Sequence, residues 1–314
     1  MSTPVYYFSD CVAPGDEAVS RLQMNYYALA AHYGMALTLQ MTGSLPGASV
    51  HTAFQALSTL AGISHLHAQR YGLGPLPSQI LAVNNASRSH HSGQSDAGAD
   101  ALLWGRLRDP VTGVQHHLVG YDQYVMGFAA PWLEDCWVVE GFSALPALRD
   151  LRRGSQFRSL EYLPYVHLQL LRTGGEEIPG AQLRALPIPS LPDYTLSDAA
   201  QLRYLGADRF GNGRFQLPCR SFPTWWEHFS RAPQLTLHRE GQAPMTLAVG
   251  ESLTQVPEEM PALWPSSSWL LGDAEGYAVV LNWGQRYDLT APDTAPAYTR
   301  SLPVGSIVRL THER

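Results

Sequence analysis

The sequence predicts an α/β N-terminal domain with a mostly parallel sheet, followed by a second domain built of short strands. Three observations carry this. In the first half, short apolar runs alternate with stretches whose apolar residues recur at helical spacing. Residues 174–198 then turn to Gly-Gly and repeated prolines, a linker composition. Beyond them the apolar runs are brief and separated by turn residues. A chain of 314 residues with 45% apolar side chains can bury one large core or two moderate ones, which excludes a disordered, collagenous or disulfide-scaffold protein.

In order, residues 5–8 read as a short buried strand, and Asp16 stands at the N-cap of a helix over 17–33, where Val19, Leu22, Tyr26, Leu29 and Ala30 share one face. Residues 35–41 form a second strand. Ser49 caps a helix with the stripe Val50, Ala53, Phe54, Leu57 and Leu60. Strands are expected at 80–83, 101–106, 117–119 and 137–139. This βαβ rhythm places a ligand site at the carboxyl ends of the parallel strands. The expected domains are therefore 1–173, the linker 174–198, and 199–314, with strands at 215–217, 235–237, 247–249, 269–271, 278–281 and 307–310 forming a small antiparallel sandwich or barrel.

Charge narrows the function. Only 15% of residues are charged and the formal net charge is −6, so no basic field exists to hold a nucleic-acid backbone, and nucleic acid is not an expected partner. All 21 cationic residues are Arg, which removes Schiff-base lysine chemistry and a phosphate-loop lysine. Cys11, Cys136 and Cys219 are odd in number and far apart, fitting neither a disulfide framework nor a paired zinc motif. The opening residues lack a charged-then-apolar leader and no run approaches 18 apolar residues, so a cytoplasmic protein off the membrane is expected.

No dinucleotide fingerprint, phosphate loop, zinc-protease helix or nucleophile elbow is present. His65 and His67 would share one face of a strand, a spacing that metal pairs use, but no acidic partner stands near and no metal is expected. His90-His91 and His116-His117 would point to opposite faces of any strand they occupy. Asn84, Asn85 and Ser87 follow a buried strand run, where α/β sheets build sites; an ordinary polar turn explains them equally. Asp208-Arg209-Phe210-Gly211-Asn212 puts a carboxylate and a carboxamide around a Phe-Gly turn, which a plain hairpin would also explain.

In order along the chain, these segments resemble the S-adenosylmethionine hydroxide adenosyltransferases and their fluorinase and chlorinase relatives. Asp208-Arg209-Phe210-Gly211-Asn212 is similar to the family's Asp-x-Phe-Gly-Asn opening of its C-terminal barrel. Phe8-Ser9-Asp10, with Asp16-Glu17, is similar to the halogenases' Ser-Asp turn and acidic pair. Val119-Gly120-Tyr121-Asp122-Gln123 is similar to a Val-Gly-Pro-Asp-Asn strand end, and the segments around Asn282-Trp283-Gly284 and Val304-Gly305 match the last barrel strands. The resemblance spans about residues 5–310. It implies a C-terminal antiparallel β-barrel, a homotrimer, and S-adenosylmethionine as substrate with no cofactor. It assigns Asp16 to the ribose hydroxyls, Asn212 to adenine, Asp208 and Asn282 to the methionine termini, and Asp10, Phe210 and Trp283 to the same substrate pocket.

The departures shape the chemistry. The hydrolases' Asp, Arg and His triad is not readable, because Asn84 stands where they carry a carboxylate and Arg158 where they carry the histidine. Water must lose a proton on attacking carbon, and a positioned base contributes about 10²–10⁴-fold to such steps; a halide is already an anion. The halogenases share a hydroxyl residue at Ser87 and a serine at Ser159. The resemblance thus implies a pocket of Ser87, Ser159, Asn84 and Arg158 in which methionine is displaced at C5′ by water or halide, giving adenosine or a 5′-halo-adenosine. The alternatives are a degenerate relative that only holds the nucleoside, and a metal-dependent hydrolase using the histidines.

Overall fold

A computed structural model describes residues 2–10, 12, 17–44, 49–65, 67, 71–73, 77–85, 102–109, 112–121, 123–140, 159–189, 201–207, 213–216, 231–232, 234–241, 243–250, 261–265, 278–283, 302 and 306–311. The chain is α/β with two sheets, and it divides into two compact units, residues 1–190 and 191–314.

The first unit begins with strand β1 (Thr3–Ser9) and helix α1 (Glu17–His32). Ala18, Leu22, Tyr26 and Ala30 recur every four residues and are buried, the stripe an amphipathic helix turns to a core. Its end is set by Gly34, at φ 65°: the Gly34 N–H donates to Ala31 O at 3.1 Å and the Met35 N–H to Ala30 O at 2.8 Å. This is a Schellman cap, which a residue with a Cβ adopts only under strain. Strand β2 (Leu37–Gly43) and helix α2 (Ser49–His65) follow, then β3 (Ile80–Asn84), β4 (Leu102–Arg108), β5 (Gln115–Gly120), helix α3 (Gln123–Ala129), β6 (Leu133–Glu140), helix α4 (Ser159–Thr173) and β7 (Gln182–Leu186).

The sheet order is β2-β1-β3-β5-β4-β6-β7. Pairing is parallel from β2 through β1 and β3 to β5, and antiparallel from β5 through β4 and β6 to β7. The sheet is thus mixed: three of its six pairings are parallel, where the βαβ rhythm led to the expectation of a mostly parallel sheet. The antiparallel β4–β5 pairing follows from chain length: only residues 109–114 separate the two strands, and a parallel crossover needs about a dozen. That turn is fixed by Gly113 at φ 69° and by the Asp109 carboxylate, which accepts from Thr112 N at 3.3 Å and Thr112 Oγ1 at 2.9 Å.

Helix α1 packs with α4 against one face, in a core holding Val5, Tyr7, Ile80, Trp104, Val119 and Val139. Helix α2 packs with α3, their Phe54 and Phe128 rings edge-on at 6.4 Å. Strand alternation puts Phe8, Leu81, Val83 and Leu118 on that second face. Helix α4 was not among the elements expected from the sequence; it carries Pro164 in its interior. Strand β7 lies in the stretch expected as linker; its hydrogen bonds to β6 extend the sheet through residue 186, which corrects that part of the linker assignment. His65 ends helix α2 rather than pairing with His67 along a strand, so the shared strand face expected for them does not exist.

The second unit contains β8 (Gln201–Ala207), β9 (Gly213–Gln216), β10 (Gln234–His238), β11 (Met245–Val249), β12 (Pro261–Pro265), β13 (Ala278–Trp283) and β14 (Ile307–Thr311). They pair in the order β10-β11-β12-β13-β9-β8-β14, and β14 returns to β10, curling the sheet closed. The β11–β12 pair is parallel and the other six are antiparallel. Alternate residues Leu235 and Leu237, Val308 and Leu310, and Leu202 and Tyr204 fill its interior with Phe215 and Leu263. The strand expected at 269–271 lies outside the described residues; β12, bounded by prolines at both ends, was not anticipated. No described helix is long and apolar enough to cross a membrane.

Candidate functional site at the carboxyl ends of the parallel strands

In an open α/β sheet the chain leaves neighbouring parallel strands in opposite directions at one point, and the crevice there is the usual ligand position. In this sheet the point lies between β1, whose chain continues through α1 to β2, and β3, whose chain continues to the other side. The strand register pairs Ser9 with Asn84 and Val83 with Gly120, so Ser9, Asp10, Asn84, Asn85, Gly120 and Tyr121 line up along one edge.

The backbone there is tightly held. Ser9 O accepts from Val12 N at 3.3 Å and Ser44 N at 2.9 Å, joining the ends of β1 and β2. A Cβ on Gly43 would stand 2.8 Å from Val12 O, so this approach requires glycine. Asn85 Nδ2 donates to Thr52 Oγ1 at 2.7 Å, and Ser49 Oγ donates to Asn85 O at 3.5 Å, which ties the end of β3 to the start of α2.

Asn84 is buried, and its Nδ2 donates to Tyr7 Oη at 2.7 Å. The Tyr7 ring meets Tyr26 edge-on, centroids 6.4 Å apart, and the Tyr26 hydroxyl is bonded to His167 Nδ1, with the two rings stacked at 5.9 Å. Beside this column the hydroxyls of Tyr121 and Tyr162 bond to each other. Burial and the neighbouring Tyr162 push the Tyr121 hydroxyl well above its ordinary range, and burial does the same to Tyr26, so both stay protonated phenols. Burial lowers His167 to about 3 and His117 to about 4, with neighbouring His117 adding to the first and His116 and Arg106 to the second. Both imidazoles are therefore neutral at pH 7. Behind the crevice lies a column of uncharged hydrogen-bonding groups, with no base poised near neutrality among them.

Asp10 follows β1 directly, half-buried, so the structure brings Asp10 and Asn84 to adjacent strand ends. Ser159 is the first residue of α4, and its N–H is one of those a helix start leaves without an intrahelical partner. Asn282 and Trp283 end β13, opposite Ala262 and Pro261. Ser87, Arg158, Asp16, Asp208, Phe210 and Asn212 lie outside the described residues. Sequence reasoning missed Tyr7, Tyr162 and His167. The available signal was the 3.6-residue spacing of Tyr162, Val166 and Leu170, obscured by Pro164.

The histidine pair of β5 serves structure. His116 and His117 point to opposite faces, as alternation requires. His116 Nδ1 accepts from Gln79 N at 3.2 Å, which leaves Nε2 carrying the proton 3.8 Å from Asp109 Oδ2. Ser64 bonds directly to Asp109, not to the imidazole, so Ser64, Asp109 and His116 lack the nucleophile-to-base contact of a hydrolytic triad. His117 Nδ1 accepts from Trp104 Nε1 at 3.2 Å, and Trp104 stacks on Trp137 at 4.3 Å. No group of three or more metal-binding side chains occurs among the described residues.

Fold and strand register together define an α/β protein with two sheets and a row of polar residues at its strand switch point. No family model and no curated protein matches the chain. Solved structures do share its fold. One is a conserved hypothetical protein from Thermus thermophilus, at TM-score 0.54 and 16% identity over 98% of this chain and 100% of that one. Another is an uncharacterized conserved protein from Thermotoga maritima, at TM-score 0.63 and 12% identity over the same shares. At these identities the likeness establishes fold alone.

Proposed function

We propose that this chain binds S-adenosylmethionine and displaces methionine at C5′ with a small nucleophile, water or halide, in the manner of the hydroxide adenosyltransferase and halogenase family it resembles. The observation that carries the reading is the meeting of Asp10 and Asn84 at the adjoining ends of β1 and β3. Those two segments come from separate parts of the resemblance, and they converge at the place where this class of sheet holds ligands. In this reading the first unit is the substrate-binding α/β domain, the second is a β-barrel to whose Asp208, Phe210, Asn212, Asn282 and Trp283 the resemblance assigns substrate contacts, and the molecule is a homotrimer in the cytoplasm. Asp16 accepts both ribose hydroxyls. Ser87, Ser159 and Arg158 attract and hold the nucleophile.

The sulfonium leaves as a neutral thioether, so no general acid is needed. Positioning the nucleophile behind C5′ and excluding bulk water are the tasks that remain. Asn84, a carboxamide where the hydrolases carry a carboxylate, supports a second reading, in which the protein holds the nucleoside unchanged. Incubation with S-adenosylmethionine in chloride, bromide or halide-free buffer, followed by mass spectrometry, separates the two: free methionine plus adenosine or a halo-adenosine marks the enzyme. Calorimetry with adenosine, methionine and S-adenosylmethionine tests both, and silence from all three refutes both. Light scattering tests the trimer.

A further inference from the structure

We propose that Tyr7 is a positioning residue that turns the Asn84 carboxamide so that its oxygen, not its nitrogen, faces the crevice, making this end of the site an acceptor for a neutral O–H or N–H group. The proposal rests on the reading above for the identity of the ligand, but its geometry stands on the fold.

An asparagine side chain carries two N–H donors and one carbonyl acceptor, and it presents whichever end its neighbours leave free. Here Nδ2 is committed to Tyr7 Oη at 2.7 Å. The oxygen, on the other branch of the planar amide, is turned away from Tyr7. Tyr7 is itself held in place: it is 1% exposed, its ring abuts Tyr26, and Tyr26 is bonded to the fully buried His167. The column from α4 through α1 to β1 therefore sets the amide orientation from inside the core. Asn84 is the last residue of β3 and 7% exposed, so it stands at the strand ends with a small part of its surface open.

The chemical consequence is selectivity. A carboxamide oxygen accepts a hydrogen bond and cannot take up a proton at neutral pH, so it orients a hydroxyl or amine without acting as its base. A halide or halogen substituent offers no hydrogen and would meet a lone pair. With adenosine as the probe, the 5′-hydroxyl is the matching donor, whereas 5′-chloro-5′-deoxyadenosine lacks it. One net hydrogen bond corresponds to roughly tenfold in affinity.

Calorimetry should show adenosine binding about tenfold tighter than 5′-chloro-5′-deoxyadenosine. The gap should close in Asn84→Leu, which has no acceptor, and shrink in Tyr7→Phe, which frees the amide to rotate. It should persist in Asn84→Asp, whose carboxylate accepts from the Tyr7 hydroxyl and still offers an oxygen outward. On protein labelled with ¹⁵N-asparagine, one Asn84 Nδ2 proton should exchange slowly in the wild type and lose that protection in Tyr7→Phe. Tyr7→Phe behaving as wild type in both measurements, or Asn84→Asp losing the discrimination as fully as Asn84→Leu, overturns the proposal. If adenosine, methionine and S-adenosylmethionine all fail to bind the wild-type protein, the proposed function fails; whichever of them binds, the exchange measurement upholds or refutes the orientation of Asn84 by Tyr7.

Discussion

Replacing Tyr26 by Phe isolates the contact that anchors the polar column. Tyr26 and His167 are both fully buried, and the Tyr26 hydroxyl bonds to His167 Nδ1. Deleting the hydroxyl removes one hydrogen bond and strands the ring nitrogen it served. His167 Nε2 already has no partner among the described residues, so the imidazole would then have neither nitrogen satisfied within them. An orphaned buried polar atom costs about 1–3 kcal/mol, more than the net value of the bond itself. For a unit of about 190 residues, a loss near 2 kcal/mol lowers the melting temperature by about 4–8 °C. His167→Leu should cost a similar amount by stranding the phenol. The double variant Tyr26→Phe/His167→Leu removes both polar partners and should lose less than the two single variants combined, by at least about 1 kcal/mol. Urea unfolding followed by circular dichroism measures all four proteins of this cycle. Strict additivity, or a Tyr26→Phe loss below about 0.5 kcal/mol, would show that the contact does not anchor the column.

Acid should weaken the protein through its buried histidines. His167 and His117 titrate at about 3 and about 4 in the folded state against 6.5 in the unfolded chain, so between those values the unfolded state binds more protons and stability falls as pH drops below 6.5. Each contributes about 1.4 kcal/mol per pH unit in that window, so unfolding at pH 5 should be easier than at pH 7.5 by about 4 kcal/mol in total, and His167→Leu should roughly halve the slope. Gly175→Ala should cost at least about 2–3 kcal/mol in the same unfolding assay: Gly175 sits at φ 85° where its N–H caps α4 on Leu170 O at 2.9 Å, and an added Cβ would overlap the Trp104 indole. Cys136 is buried and its thiol is pushed up to about 11 by that burial, so iodoacetamide at pH 8 should leave the Cys136 peptide unmodified in native protein and alkylate it in urea, as read by mass spectrometry.

Much of the secondary structure was legible because it is written in short-range periodicity. Leu22, Tyr26 and Ala30 declare the buried face of α1 by spacing alone, and the apolar run of β3 declares a strand covered on both faces. The strand-end placement of Asn84 followed from the same run, since a polar cluster after a buried parallel strand has few other places to be. Pairing direction was less legible; the six residues between β4 and β5 in the structure leave no room for a parallel crossover there. The elements α4 and β12 were not read from the sequence; both carry prolines, whose local penalty of about a few kcal/mol is outweighed when the rest of an element packs in the core. The sequence by itself thus determined the α/β rhythm of the first half, the strands of the second half and the absence of lysine chemistry. Only the tertiary structure decided that Tyr7, Tyr26 and His167 stand behind Asn84. Tyr26 and His167 are 141 residues apart, and Tyr7 and Asn84 are 77 apart. Contacts at such separations are created by strand register and helix packing, which no local pattern encodes.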